Sequence, residues 1–261
     1  MKSKIAVLFI STLILSVMTQ SACPPCRNQQ VSTTYVLAGY KDIGTYDLTS
    51  GTFTLLSTVT TVSLSRIAVT PDNQLYGITG TALYSIDPSD GSVVLIGSTN
   101  VVLQTIAFGP NGVLYGIDIN NNFCEVDLTT GAASLLFHID GYNDLANGMV
   151  YDPIDQIFYF ASEDGNNSGS QLATLSLDGT FTLSTLKNPD YILVNGVFLD
   201  GETLYGITVD RQQLTIDKTT GLETPGQTMT GTTSQINTVT RASTCESPSR
   251  RVLLARKRRL L

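Results

Sequence analysis

The stretch LYGIDINNNFCEVDLTTG, residues 114–131, has two close relatives in the same chain: LYGITGTALYSIDPSDG at 75–91 and LYGITVDRQQLTIDKTTG at 204–221. Internal repetition constrains a fold strongly, because a repeated unit exists to pack against its own copies. Five apolar stretches set the frame: SRIAVTPDN (65–73), QTIAFGPNG (104–112), NGMVYDPID (147–155), NGVFLDGE (195–202) and NTVTRAS (237–243). Their starts lie 39, 43, 48 and 42 residues apart.

After each of the first four come three further short runs rich in Leu, Ile, Val, Tyr and Thr, bounded by Gly, Asp or Asn. Those are strand and turn signals. Four strands at this spacing make a blade of a β-propeller. The fifth stretch, NTVTRAS, has no strands after it. Near the N-terminus, TYVLAG (34–39), IGTYDL (43–48) and TFTLLS (52–57) have no inner strand before them. One leftover strand and three leftover strands make one blade. The chain is therefore expected to be an all-β, single five-bladed β-propeller over 34–243, closed by its C-terminal strand joining the N-terminal blade. A ring closed this way leaves no open end, which removes most of the edge-strand hazard.

Two features of the repeat read as structural. The Tyr of LYG is expected to pack between blades, with the following Gly letting a neighbouring backbone come close. Asp47, Asp87, Asp127 and Asp217 each open an Asp-x-x-x-Gly unit. The Asp side chain bonds the turn backbone and the Gly takes the left-handed position.

Outside the repeats, MKSKIAVLFISTLILSVMTQSA (1–22) has a basic start, an apolar run and small residues before Cys23, the pattern of a secretory signal peptide. Export is therefore expected, to the exterior or the cell surface. Lipid anchoring at Cys23 is the alternative, although Gln20 stands where that signal has an apolar residue. A linker, 23–33, carries Cys23 and Cys26. In an oxidising compartment Cys26 or Cys23 is expected to bridge to Cys245 across the seam, with Cys124 buried and unpaired. Asn166 opens a glycosylation sequon.

Residues 23–249 hold 7 Lys and Arg against 22 Asp and Glu, a net of −15. Such an acidic body argues against nucleic acid as a partner. The tail, 244–261, is basic: its last 12 residues, RRVLLARKRRLL, hold 6 basic residues and no acid. It is read as a solvated tail, a segment removed at its dibasic sites, or a device for self-association with the acidic body of another copy.

Five polar residues begin the inner strands: Ser65, Gln104, Asn147, Asn195 and Asn237. They are expected to ring one mouth of the channel, where they either satisfy one another or hold a ligand. On the same face the connectors 138–146 and 187–193 and the loop 162–171 are long. Tyr142, Asp144, Asp190 and Tyr191 are expected to overhang the ring. Amides, carboxylates and aromatics at a rigid mouth suit a glycan or another polar small ligand.

Chemistry has little to work with. The single His, His138, follows a strand run, and the cysteines lack metal spacing. No phosphate loop, dinucleotide fingerprint or nucleophile elbow occurs. No cofactor, metal or catalytic residue is assigned. The expected function is a secreted non-catalytic binding, adhesion or assembly module. The alternative is a hydrolase or lactonase using the channel mouth.

The unit LYGI…LYxID…TG…IG…IAFxPNG resembles the repeats of secreted β-propellers related to the NHL and YVTN families, of the LYxID/TG-repeat type, over residues 34–243. The resemblance implies the fold and leaves function open, because propellers host enzymes, lectins and scaffolds alike. It implies that lactonase-like members hold a divalent metal with Glu, Asn and Asp around the channel. Asn147, Asn195 and Asn237 match the amides, and no inner-strand Glu or Asp completes the set.

Overall fold

The structure, a computed structural model, describes residues 33–142, 145–163, 170–184 and 194–242. Five four-stranded antiparallel sheets form a five-bladed β-propeller. Blade two is β4 (Arg66–Val69), β5 (Leu75–Thr79), β6 (Ala82–Ile86) and β7 (Val93–Ser98). Blade three is β8 (Leu103–Phe108), β9 (Leu114–Asp118), β10 (Asn122–Val126) and β11 (Ala133–His138). Blade four is β12 (Leu145–Asp152), β13 (Ile157–Glu163), β14 (Ser170–Ser176) and β15 (Phe181–Leu183). Blade five is β16 (Val194–Asp200), β17 (Thr203–Thr208), β18 (Gln212–Ile216) and β19 (Glu223–Thr228). Blade one is built from both ends of the chain: β1 (Thr34–Ala38), β2 (Asp42–Asp47), β3 (Thr52–Thr58) and β20 (Ile236–Arg241).

The closure expected from the leftover strands is present. β20 pairs antiparallel with β1, Thr34 opposite Arg241 and Val36 opposite Val239. Arg241 fastens this seam, donating to Thr34 Oγ1 at 2.8 Å and pairing with Asp200 of blade five at 2.7 Å. The inner strands follow one another round the channel in the order β4, β8, β12, β16, β20 and back to β4.

Hydrophobic burial explains why the repeat is copied. Among the described residues five apolar clusters each join two neighbouring blades. β1 shows how: Tyr35 and Leu37 enter the cluster shared with blade two, while Val36 and Ala38 enter the one shared with blade five. Alternate side chains leave opposite faces of a strand, so one blade supplies two interfaces. A blade on its own would leave both faces wet. Tyr76 and Tyr115 fill such interfaces, edge-on to Phe108 at 5.5 Å and Phe158 at 5.3 Å in the next blade. Tyr205 instead stacks on Phe198 of its own blade, 5.5 Å between centroids.

The glycine after that Tyr meets the expectation in part. A Cβ on Gly116 would lie 3.0 Å from Thr105 O, the backbone of the neighbouring strand. A Cβ on Gly77 would instead meet Ile86 Cδ1 at 2.8 Å, and one on Gly206 would meet Ile216 Cδ1 at 3.0 Å, apolar side chains of the same sheet folding over the strand. Tighter backbone approach occurs elsewhere: a Cβ on Gly97 would lie 1.9 Å from Thr130 O, and one on Gly148 would lie 2.7 Å from Gly196 Cα.

The Asp-x-x-x-Gly units are turns. Asp47, Asp127 and Asp217 each accept from the amides two and three residues on, and Asp87 accepts from the amide and hydroxyl of Ser89. Gly51, Gly91, Gly131 and Gly221 all have φ between +69° and +80°. The outer strand of blade five runs Glu223–Thr228 and contains Pro225. An outermost strand tolerates Pro because its outward N–H side needs no ladder partner.

Cys124 is buried and free. The bridge expected between Cys26 or Cys23 and Cys245, the sequon at Asn166, the signal segment and the basic tail lie outside the described residues. Among the described residues no helix is long and apolar enough to cross a membrane.

Candidate functional site: the mouth at the inner-strand starts

The five polar residues that begin the inner strands share one end of the channel, and bulges position them. Gln104, Asn195 and Asn237 each fall where the register slips by a residue against the second strand of the blade. In blade four the slip falls one residue later, at Gly148, with φ +45°. A bulge kinks the strand and re-aims the side chain it carries.

These side chains stitch each strand start to a neighbour. Gln104 Oε1 accepts from the Ala146 amide at 2.6 Å, and its Nε2 donates to Asp118 O at 3.2 Å. Asn195 Nδ2 donates to Ile236 O at 2.8 Å. Asn237 Oδ1 accepts from the Tyr40 amide at 2.7 Å, and Tyr40 O accepts from the Leu64 amide at 2.9 Å. Ser65 Oγ donates to Ile78 O at 3.0 Å. The ring is thus used to satisfy buried backbone and to lock the blades in position.

Two residues that the sequence reading passed over complete the mouth. Arg66, on β4, sends its guanidinium across the channel: Nη2 donates to Asn147 Oδ1 at 2.8 Å, while Nη1 donates to Ser65 O at 2.9 Å. β4 and β12 are not neighbours in the ring, so this bond spans the axis. On the far side of Asn147 its Nδ2 donates to Glu163 Oε2 at 3.0 Å. Arg66, Asn147 and Glu163 form a cross-channel relay, a neutral amide between two opposite charges. Arg66 Nε is buried without a partner, and burial pulls the guanidinium pKa down. Both additions had a faint signal. Arg66 is the only charged residue in SRIAVTP, and Glu163 ends the second strand of its blade rather than starting the first.

Asp118, another acid at this end, is absorbed by its turn. Its Oδ1 accepts from the amides of Asn120 (2.8 Å) and Asn122 (2.9 Å), and its Oδ2 accepts from Asn122 Nδ2 at 3.0 Å. Tyr142 does not overhang the mouth. It is buried, with its ring tilted at 5.2 Å from Phe181 and edge-on to Phe160 at 5.6 Å. Its apolar ring gains more from that cluster than from water. Asp144, Asp190 and Tyr191 lie outside the described residues.

Tyr40 takes the exposed aromatic position instead. It is half exposed, with φ +66°, and follows Gly39 with φ +58° in a tight turn closed by the Lys41 amide on Ala38 O at 3.2 Å. Gly, Asn or Asp normally fill such positions, and a bulky residue there is strained. Among the described residues, no three of His, Cys, Asp and Glu gather as a metal site would need. His138 is exposed, its Nδ1 3.1 Å from Asn122 Oδ1.

The fold and this mouth define a five-bladed β-propeller with a polar rim at one end of its channel. No protein-family model and no curated protein sequence matches the chain. Among solved structures it is similar to a structural-genomics protein of unknown function from Bacteroides thetaiotaomicron, at 16% identity and TM-score 0.52, over 79% of this chain and 61% of that one. It is also similar to a symmetrical protein from work on de novo evolutionary emergence under folding constraints, at 17% identity and TM-score 0.51, over 80% and 97% of the two chains. Virginiamycin B lyase from Staphylococcus aureus is more distant, at 12% identity and TM-score 0.47 over 74% and 68%, and none of its properties passes to this chain. The likeness is one of fold.

Proposed function

We propose that the chain is an exported, non-catalytic binding propeller that takes a glycan or another polar ligand at the inner-strand mouth. The observation that supports this is how the polar groups there are engaged. Gln104, Asn147, Asn195, Asn237 and Asp118 are hydrogen-bonded into the framework, which makes a rigid, preformed surface. Hydrolysis of a glycoside would need two carboxylates flanking the substrate, one of them an acid ready to give up its proton. Asp118 is held by its own turn, and Glu163 is the amide's acceptor.

The test is a glycan array probed with the mature chain, run beside ester, lactone and glycoside hydrolysis assays with and without divalent metal. Saturable binding without turnover is expected. Turnover that disappears in Glu163→Gln or Asp118→Asn would replace this reading with the hydrolase one.

One observation favours assembly as a second role. The outer strands of blades one to three expose Leu55, Leu56, Val94, Leu95, Leu135 and Leu136, and β3, β7 and β11 contain no Asp, Glu, Lys or Arg. Repeated apolar side chains on an uncharged rim are a place where acidic copies could meet. Sedimentation of the wild type against Leu55→Lys with Leu135→Lys tests it. Monomers at every concentration would remove this role.

A further inference from the structure

We infer that the mouth selects a carboxylate-bearing sugar, a uronic acid or similar acidic saccharide, held between the Tyr40 ring and the Arg66 guanidinium. This deepens the binding reading above and rests on it.

The first support is the state of Arg66. A guanidinium offers five N–H donors. Only two are used, on Ser65 O and Asn147 Oδ1, and no ion pair to a carboxylate is formed among the described residues. The other two arginines among the described residues are differently placed. Arg241 pairs with Asp200 at the seam, and Arg211 caps Thr233 O from an exposed turn. Arg66 is a cation drawn into the channel of an acidic body and left under-satisfied there. Burying a charge without full pairing is costly, so an anionic group arriving at its free N–H edge relieves a cost already present. Glu163 is linked to Arg66 through the Asn147 amide.

The second support is Tyr40, which is independent of Arg66's bonding. A strained, half-exposed Tyr at a position that favours Gly is an outlier of the kind that accompanies function. Asn237 holds it there through the Tyr40 amide, and the Leu64 amide binds its carbonyl beside the start of β4. Asn237 keeps its Nδ2 donors uncommitted among the described residues. An aromatic face, a guanidinium edge and a free amide donor match a pyranose ring face, its carboxylate and a hydroxyl. A body of net −15 repels long polyanions. One acidic residue within an otherwise neutral glycan is the form that fits.

The experiment compares matched probes by calorimetry: a glucuronate-terminated oligosaccharide and the same oligosaccharide ending in glucose. Three proteins are used, wild type, Arg66→Gln and Tyr40→Gly. The wild type should bind the acidic probe at least tenfold more tightly than the neutral one. Arg66→Gln should lose that preference. Tyr40→Gly should weaken both probes by a similar factor while melting at the same temperature as wild type or higher, because Gly relaxes the turn. That separation of binding from stability is what a structural role for Tyr40 cannot produce. If Arg66→Gln does not fold, Tyr40→Gly still decides the aromatic half, and the neutral probe decides the charge half. Equal binding of both probes overturns this inference and leaves the binding reading standing. Binding of neither probe, together with an empty glycan array, overturns both.

Discussion

Arg66 Nη2 and Asn147 Oδ1 meet at 2.8 Å across the channel, joining blades two and four, which are not neighbours in the ring. Asn147 also donates to Glu163, so this one amide serves two charged groups. Replacing Asn147 with Ala removes an acceptor from the guanidinium and a donor from the carboxylate. A loss of about 1–3 kcal/mol is expected, the usual penalty for stripping a partner from buried polar groups. Urea unfolding measures it, with the midpoint moving and the slope unchanged. A variant as stable as wild type would mean that the relay adds nothing to the ring.

Gly97, at a blade contact, should be less replaceable than Gly80, in an open turn. A Cβ on Gly97 would clash with Thr130 O of the next blade, whereas one on Gly80, φ +40°, meets nothing within 4 Å. Gly97→Ala should therefore destabilise by about 1–3 kcal/mol or more through overpacking. Gly80→Ala should lose only about 1 kcal/mol from its left-handed backbone. Thermal melts of the pair give the order, and a reversed order would contradict the packing of blade two on blade three.

The turn aspartates predict how stability changes in acid. Hydrogen bonds hold their pKa values below the ordinary 3.8: the Ser50 amide at Asp47, the Ser89 hydroxyl at Asp87, the Thr130 amide at Asp127 and the Thr220 amide at Asp217. A carboxylate with a depressed folded pKa adds stability above its unfolded pKa and loses it as pH falls through the folded value. The melting temperature should thus be level above the carboxylate range and drop as pH goes below 3.8. Carbon-detected NMR titration should place these four midpoints below that of the free side chain. Ordinary midpoints would mean that the turns do not use the carboxylates.

Cys124 reports opening of blade three. Burial pushes its thiol from 9.0 up to about 11. A raised folded pKa means stability is retained below the ordinary thiol value and lost as pH climbs between the two. At pH 8 a maleimide reagent should label Cys124 only as fast as the fold opens, and denaturant should accelerate it sharply. Fast labelling of the native protein would contradict the burial.

Blade number and closure were legible because strand spacing and strand edges are local properties. NTVTRAS without followers and TYVLAG without a predecessor required each other. The turns were legible for the same reason. The mouth was not, beyond the identity of the residues that begin the inner strands. Whether Asn147 faces a ligand or an arginine depends on Arg66, 81 residues earlier and in a non-neighbouring blade. Glu163 enters through its place at the end of a second strand, opposite the bulged start of β12. Tyr142 looked like an overhanging aromatic because its connector is long, but the Phe160 and Phe181 rings claim it. Tyr40 was hidden because nothing in YKD announces a left-handed backbone.

NMR chemical-shift mapping decides whether ligand meets this propeller at the inner-strand mouth. Isotope-labelled protein is titrated with the glucuronate-terminated oligosaccharide. The largest shifts should fall on the Tyr40 amide, the Arg66 Nε–H and the Asn237 side-chain amide, with the turns at Asp47, Asp87, Asp127 and Asp217 unmoved. Shifts concentrated on those turns, with the mouth silent, would contradict it.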